Sequence, residues 1–430
     1  MVCNNKLTFF ANGFVNYFFC SIKGDERFFD RCIFITHNQP AVVVAFLVGE
    51  GSNCFEVVSD FFNLHIFDFK VNNIKSFSKI LLYPIALVYG LVTAIRNFLF
   101  DKKYFASVRF DFPVIGVGNL SAGGTGKSPH IEYLIQLLQY QFKVATLSRG
   151  YGRTSHGYFL ADENSTALQI GDEPRQFKKK FPETLVTVCE DRVLGVPKIL
   201  HEHPEVDVVL LDDAFQHRSI RAGLSVLLTE YFNRFTQDDL IPVGWLREAK
   251  SNYHRADIII ITKCPHHISL EEREKIVAEV KPYRYQKVYF STLQYAPLYS
   301  FYNWQTKFEP NKETDVLLVC GIANYAPLET YLKSQFGNVY VRSYRDHHRF
   351  ESFDLETIQE TFKNIGDRRK IIVTTEKDAA RLEEFRDWFL EKNIELFVQP
   401  VSVEFLFSDK EKFEADILSY MAHFNPTPLS

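Results

Sequence analysis

Methionine is almost missing from this chain: after Met1 only Met421 occurs. No ordinary internal start codon therefore separates residues 1–70 from the rest of the chain. That stretch has short apolar runs without a clear period, and it holds Cys3, Cys20, Cys32 and Cys54. It is expected to be an extension of unknown role, and a translation start near Val71 at a non-AUG codon would account for its lack of pattern. The 7 cysteines, completed by Cys189, Cys264 and Cys320, are odd in number, and no pair has C-x-x-C spacing. A zinc ribbon or a disulfide framework is a poor fit, and a reducing compartment suits the chain best. Charge of one sign is lacking too. Lys and Arg number 49 against 53 Asp and Glu, a net charge of −4, which argues against a general nucleic-acid binder. Asn12 and Asn16 interrupt the apolar residues after Lys6, so the N-terminus is a poor secretory signal. Internal repeats and low-complexity tracts are absent. Phenylalanine, by contrast, is plentiful at 41 residues, many of them in the first hundred positions. At 430 residues, two or three domains are expected.

Ile80–Ile95 carries no charge, yet it falls short of the about 20 apolar residues a spanning helix needs, and Pro84 and Gly90 weaken it. Lys75 and Lys79 precede it; Arg96, Lys102 and Lys103 follow. The run fits a core helix of a soluble domain. It fits equally a helix lying in or dipping into a bilayer, with Tyr83 and Tyr89 near the headgroups and the basic flanks on anionic lipid.

The strongest positive signal is Gly118-Asn119-Leu120-Ser121-Ala122-Gly123-Gly124-Thr125-Gly126-Lys127-Ser128-Pro129. The apolar Pro113–Val117 before it predicts a buried strand, and the amphipathic Ile131–Leu138 after it predicts a helix. Strand, Gly-rich loop, Lys-Ser and helix form a phosphate-binding loop. Its glycines let backbone N–H groups converge on phosphate oxygens, and the helix start adds its positive dipole end. Residues Ser121 to Ser128 are thus the candidate nucleoside-triphosphate site. Lys127 would reach the β- and γ-phosphates, and the Ser128 hydroxyl would hold Mg²⁺. Ser121 stands where the usual pattern has glycine. A chance Gly-rich turn would lack the flanking strand and helix.

From residue 106 the chain alternates strand and helix patterns. Strands are expected at 114–117, 144–147, 185–188, 206–211, 226–229, 258–262 and 288–291, with helices at 131–140, 193–201 and 270–280. After a looser segment with Pro297 and Pro310, alternation resumes. Strands are expected at 316–319, 339–341, 371–374 and 396–398, and helices at 328–335, 355–362, 379–390 and 411–421. The fold class is therefore α/β: a mostly parallel sheet with helices on both faces over 106–296, and a second, smaller α/β unit over 297–430.

A second chemical signal is Val206–Asp213, an apolar strand ending in Asp212-Asp213. Acids at the carboxyl end of such a strand hold Mg²⁺ in phosphate-loop proteins, directly or through water. Adjacent carboxylates on extended backbone point apart, so the two have different tasks. Arg149, Arg192 and Arg247 lie at strand or helix ends suited to bidentate phosphate recognition, although a single Arg is commonly just a solvated surface residue. Gly171-Asp172-Glu173-Pro174 is locally a turn with a helix-starting proline; functionally it offers a carboxylate near the transferred phosphate. In Asp346-His347-His348, neighbouring histidines point apart and no third ligand has useful spacing, so a histidine paired with a carboxylate fits better than zinc. Ile261-Thr262-Lys263-Cys264 resembles the base-reading Asn-Lys-x-Asp of GTPases, but the closing Asp is missing, so guanine specificity is not supported.

These motifs occur in a fixed order. The Gly118–Pro129 loop is followed by Ser148-Arg149-Gly150-Tyr151, Gly171–Pro174, Asp212-Asp213-Ala214-Phe215-Gln216-His217-Arg218, Leu246-Arg247-Glu248, Asp346-His347-His348 and Thr375-Glu376-Lys377-Asp378. Together, from about Ser76 onward, they resemble the tetraacyldisaccharide 4′-kinase family, the lipid A 4′-kinases of Gram-negative bacteria. The resemblance implies transfer of the ATP γ-phosphate to the 4′-hydroxyl of a tetraacylated glucosamine disaccharide 1-phosphate. It implies ATP and Mg²⁺ as cofactors, a hydrophobic helix within 76–105 associated with the cytoplasmic face of the inner membrane, and an active site in the cleft between two α/β units. It also implies that Asp172 works with a histidine of the second unit, His347 ahead of His348, beside Lys127. Arg149, Arg192 and Arg247 would grip substrate, and Ser128 with Asp212 or Asp213 would hold the metal. The lipid A disaccharide precursor and the inner-membrane surface are the expected partners, without nucleic acid. The rivals are a phosphate-loop ATPase switch, a soluble small-molecule kinase whose apolar run is core, and a nucleotide-binding scaffold.

Overall fold

The computed structural model describes residues 74–424 and four upstream strands, Leu7–Ala11, Phe14–Ile22, Phe29–Thr36 and Val42–Ala45, paired as an antiparallel meander. The chain divides into two compact units, Met1–Val71 and Asn72–Ser430. The expectations for 1–70, an extension of unknown role and a start near Val71, lie largely outside the described residues.

The second unit opens with helix α1, Ile74–Asp101, which runs straight through Pro84. The first sheet takes β1 (Val114–Asn119), β2 (Val144–Ser148), β3 (Phe159–Leu160), β4 (Leu185–Val188), β5 (Val208–Asp212), β6 (Leu224–Glu230), β7 (Ile258–Thr262) and β8 (Lys287–Tyr295). Its main helices are α2 (Lys127–Leu138), α3 (Asp172–Lys180), α4 (Arg192–Glu202) and α5 (Leu270–Val280). A second sheet follows from β9 (Leu298–Ser300), β10 (Lys307–Phe308), β11 (Asp315–Cys320), β12 (Val339–Ser343), β13 (Lys370–Thr375) and β14 (Leu396–Gln399). Its helices are α6 (Ala326–Gln335), α7 (Ser352–Asn364) and α8 (Glu376–Leu382). The chain ends with β15 (Val401–Phe405) and α9 (Asp409–Ala422).

The first sheet runs in the order β15-β8-β7-β6-β1-β5-β2-β4-β3. All its pairs are parallel except those made by the edge strands β15 and β3. Side chains alternate across it as the pleat requires. Ile115, Val117 and Leu210 pack with Ile131, Leu134 and Ile135 of α2 and with Phe413 and Ile417 of α9. Val114, Val209 and Leu211 face Val196 and Ile199 of α4 on the other side. Strands buried on both faces explain the unbroken apolar runs in the sequence. The central strand β1 leads into the phosphate loop, and Asp212 of its neighbour β5 lies beside Val117. The loop and the acid pair thus emerge together at the carboxyl edge of the sheet, where such folds bind ligands.

The second sheet has the order β10-β9-β14-β13-β11-β12, covered by α7 and α8 on one face and α6 on the other. The expected second unit, 297–430, differs in one respect. β15 returns to pair with β8, and α9 packs on the first sheet, so the second layer closes at Gln399. Two short crossings, 296–297 and 400, therefore run side by side between the layers, tied by Ala296 N–H to the Pro400 carbonyl at 3.1 Å and by Gln399 Nε2 to the Ala296 carbonyl at 2.6 Å. The single helix expected at 379–390 is instead α8, a 3₁₀ turn and a short helix at Arg386–Glu391.

The apolar run is no core helix. Ala86, Tyr89, Gly90 and Asn97 dock against the first layer, while Ile85, Leu87, Val88, Leu91, Val92, Ile95 and Phe98 face outward. Leu82–Asp101 is long and apolar enough to cross a membrane by length and composition, and little of it is buried. Leu91→Ser, on a side 61% exposed, should alter unfolding free energy by less than about 0.5 kcal/mol. Leu134→Ala, in the core, should cost about 2–5 kcal/mol. Denaturant unfolding in detergent distinguishes the two, and equal losses would contradict the exposed placement of α1.

Candidate active site

The phosphate loop turns on two left-handed glycines, Gly123 at φ 122° and Gly126 at φ 86°, the latter capping α2. Space stands open where a Cβ on Gly123 or Gly124 would point. Neighbouring segments hold the loop from behind. The Ala122 N–H donates to the Trp245 carbonyl at 2.6 Å and the Arg247 N–H to the Leu120 carbonyl at 2.8 Å. Thr262 Oγ1 donates to the Thr125 carbonyl at 2.9 Å, and Lys263 to the Gly124 carbonyl at 2.5 Å. Lys263 thus braces the loop.

Lys127 lies 3.3 Å from Asn119 Oδ1 and 3.6 Å from Asp213. The two acids behave differently, as their opposed directions require. Asp213, in a left-handed turn at φ 48°, also takes Arg247 Nη1 at 3.1 Å. Burial works to raise its pKa, but Lys127 and Arg247 outweigh burial and hold it at about 2. Asp212 is pushed up to about 6 by burial, then by Glu173 and Asp213. Its Oδ1 is buried without a hydrogen-bond partner. An unpartnered buried carboxylate oxygen within the field of Lys127 is suited to Mg²⁺, which takes one or two protein oxygens alongside phosphate. Among the described residues no group of three or more His, Cys, Asp or Glu could hold a metal ion.

Asp172 opens α3 after Gly171 at φ 95°. A Cβ on Gly171 would lie 3.1 Å from the Gly150 Cα, so the two glycines let the 148–151 and 171–174 segments touch. From the second layer, His347 Nδ1 is 2.9 Å from Asp172 Oδ2, and Arg381 of α8 reaches the same oxygen with Nη2 at 2.6 Å and Nε at 2.9 Å. Burial favours the neutral acid, yet the hydrogen bonds from His347 and Arg381 win and hold Asp172 at about 2. His348 turns away to Asp354 at 2.9 Å and stacks on Tyr344. Arg381 also binds Asp378 at 2.8 Å, and Lys377 binds Glu173 at 2.5 Å. These contacts explain the Thr375–Asp378 motif: its charges hold α8 of the second layer against α3 of the first.

The expected substrate arginines separate. Arg149 is exposed after β2. Arg247 is half-buried on Asp213. Arg192 is only 1% exposed: its guanidinium donates to the Asp212 carbonyl at 3.0 Å and lies 2.8 Å from His217 Nε2. It fixes the backbone beneath the acid pair. Sequence reasoning missed Arg381, Gln216 and Glu248. Arg381 follows Lys377 by one helical turn, a spacing that places both on one face and was the available signal.

The family model of the tetraacyldisaccharide-1-P 4′-kinases matches residues 78–422. The tetraacyldisaccharide 4′-kinase of Bacteroides thetaiotaomicron is 43% identical over 79% of this chain and 92% of its own length. That of Flavobacterium johnsoniae is also 43% identical, over 79% and 96%. The fold is similar to that of LpxK from Aquifex aeolicus, crystallised with ATP, at a TM-score of 0.63 and 26% identity over 80% of this chain and 99% of that one.

Because Asp212 is held near pH 6 while buried, part of its population is protonated at that pH, and Mg-nucleotide binding should expel the proton. Calorimetry at pH 6 in buffers of different ionisation heat should show greater proton release for the wild type than for Asp212→Asn. Equal release would place the metal elsewhere.

Proposed function

This chain belongs to the tetraacyldisaccharide-1-P 4′-kinase family, and we propose that it transfers the γ-phosphate of ATP to the 4′-hydroxyl of a tetraacylated glucosamine disaccharide 1-phosphate. The observation that carries this reading is the 2.9 Å pairing of Asp172 in the first layer with His347 in the second. A switch ATPase or a scaffold has no need of a carboxylate shared between two layers beside a nucleotide site.

Phosphoryl transfer to an alcohol needs alignment and charge neutralisation more than covalent help. Lys127 leaves Asp213 for the β- and γ-phosphates, and the amides of 121–128 surround the chain of phosphates. Ser128 and Asp212 would hold Mg²⁺, which would add to the neutralisation of the γ-phosphate. The free oxygen and high proton affinity of Asp212 favour it over Asp213 as the metal ligand. Asp213 stays ionised and keeps Arg247 at the cleft. Asp172 Oδ2 is taken by His347 and Arg381, so its other oxygen is the one that accepts the hydroxyl proton. A carboxylate held at about 2 is a weak base, which suits a loose transition state in which the proton leaves late. Arg149 and Arg247 would be the cations for the sugar phosphate, and Arg192 would support the site by fixing the Asp212 backbone.

The outward apolar face of α1 supports a location at the cytoplasmic face of the inner membrane, with that face among the acyl chains. The helix would bring the active site to a substrate anchored in the same surface. Closure of the second layer about the paired crossings would then exclude water.

Incubation with labelled ATP and the lipid A disaccharide precursor should label that lipid and no control sugar; an unlabelled precursor ends the proposal. Asp172→Ala should lower turnover by about 10²–10⁴ while ATP affinity stays within a few-fold. Loss of affinity in equal measure would remove the base role. Lys127→Ala should weaken both. Leu87→Asp with Leu91→Asp should abolish flotation with anionic vesicles, and retained flotation would place the membrane contact elsewhere.

A further inference from the structure

The docked side of α1 carries a buried polar side chain, Asn97, only 5% exposed. Its Nδ2 donates to Glu248 Oε2 at 2.9 Å, and Glu248 is itself only 3% exposed. The other oxygen of Glu248 accepts Arg255 Nη2 at 2.6 Å and Gln216 Nε2 at 3.2 Å. The same Gln216 amide donates to the Asn119 carbonyl at 2.6 Å, and Gln216 Oε1 lies 3.4 Å from Arg247 Nη1. Asn119 closes the phosphate loop from within: its Nδ2 holds the Ser121 carbonyl at 2.6 Å and its Oδ1 meets Lys127 at 3.3 Å. Backbone contacts of α1 reinforce this path. Tyr89 donates to the Arg247 carbonyl at 2.7 Å, Arg96 to the Gln216 carbonyl at 3.0 Å, and Arg218 to the Asn97 carbonyl at 3.1 Å.

We propose that Asn97 is a positioning residue for the kinase reaction, transmitting the seating of the membrane-facing helix through Glu248 and Gln216 to the start of the phosphate loop. A buried carboxylate whose oxygens both accept hydrogen bonds is fixed in place, because turning it would leave donors unpaired in a low-dielectric interior. Gln216 reads its position, and the loop carbonyl reads Gln216. An apolar residue at 97 would serve mere packing on this face equally well. The donor is needed only because an acid waits opposite it. Nucleotide affinity of the protein thereby depends on a helix that touches no nucleotide. This inference rests on the kinase reading for its consequence in lipid turnover, but not for its consequence in nucleotide binding.

The test is an exchange of polarity measured on the full chain in detergent. Asn97→Asp sets two carboxylates face to face and should weaken Mg-ATP binding and lower turnover by about tenfold, the worth of one charge-assisted hydrogen bond. Adding Glu248→Gln to that variant restores a donor and an acceptor: the new amide oxygen faces Arg255 and Gln216, and its NH₂ faces the new carboxylate. The double variant should regain Mg-ATP affinity to within about threefold of the wild type, a recovery that a general packing defect would not show. Asn97→Leu, which keeps volume and introduces no charge, should weaken Mg-ATP binding in the same direction and covers the case in which Asn97→Asp does not fold. Wild-type affinity in Asn97→Leu, or a double variant no better than Asn97→Asp, overturns the proposal. Should the wild type fail to phosphorylate the lipid, Mg-ATP affinity still reads the relay, so the two proposals fail separately.

Discussion

The site depends on one carboxylate held from both sides. Asp172 belongs to α3 of the first layer, while His347 and Arg381 come from the second, and all three meet at a single oxygen. Burial alone would raise the pKa of Asp172; two donors in a half-buried setting outweigh it and hold the carboxyl at about 2. The contact therefore requires the layers to be together, and it fixes the ionised carboxylate in one orientation when they are. Further ion pairs along the same helix interface, Glu173 with Lys377 and Lys180 with Glu376, make α3 against α8 the seam of the molecule.

That seam begins beside the paired crossings near 296 and 400, where Glu376 also accepts the Val401 N–H at 3.3 Å. The final strand and helix, β15 and α9, tie the chain end to the first sheet. Lys180 adds weight to the seam. It is shared by Glu132 and Glu376, and burial, with Glu376 next in importance, pushes Glu132 up to about 7. At the other side of the first layer, α1 connects the outward apolar surface to the loop through buried polar groups rather than through packing alone.

Much of this was legible in the residues. The strand runs of β1, β5 and β7 are unbrokenly apolar because both faces are covered, and that made a parallel sheet the natural reading. The phosphate loop declared itself because its glycines are needed by its own backbone, at φ 122° and 86°, whatever surrounds it. Other parts were silent for physical reasons. Val401–Phe405 lies next to a strand of the other sheet in sequence, and nothing local says that it pairs with β8. Arg192 looked like any phosphate-seeking arginine, since burial and its backbone partner are properties of the packed molecule.

The sequence by itself determined the local chemistry: a loop that binds phosphate, a strand that ends in two acids, a helix too apolar to be ordinary surface. These follow from backbone freedom, pleat period and side-chain type within a few residues of each other. Only the tertiary structure decided that His347 rather than His348 meets Asp172, that Asp212 is left with an unpartnered oxygen while Asp213 is ion-paired, and that Asn97 reaches Glu248. Each of those depends on groups far apart in the chain and on the desolvation they suffer together, and no pattern along a single segment encodes either.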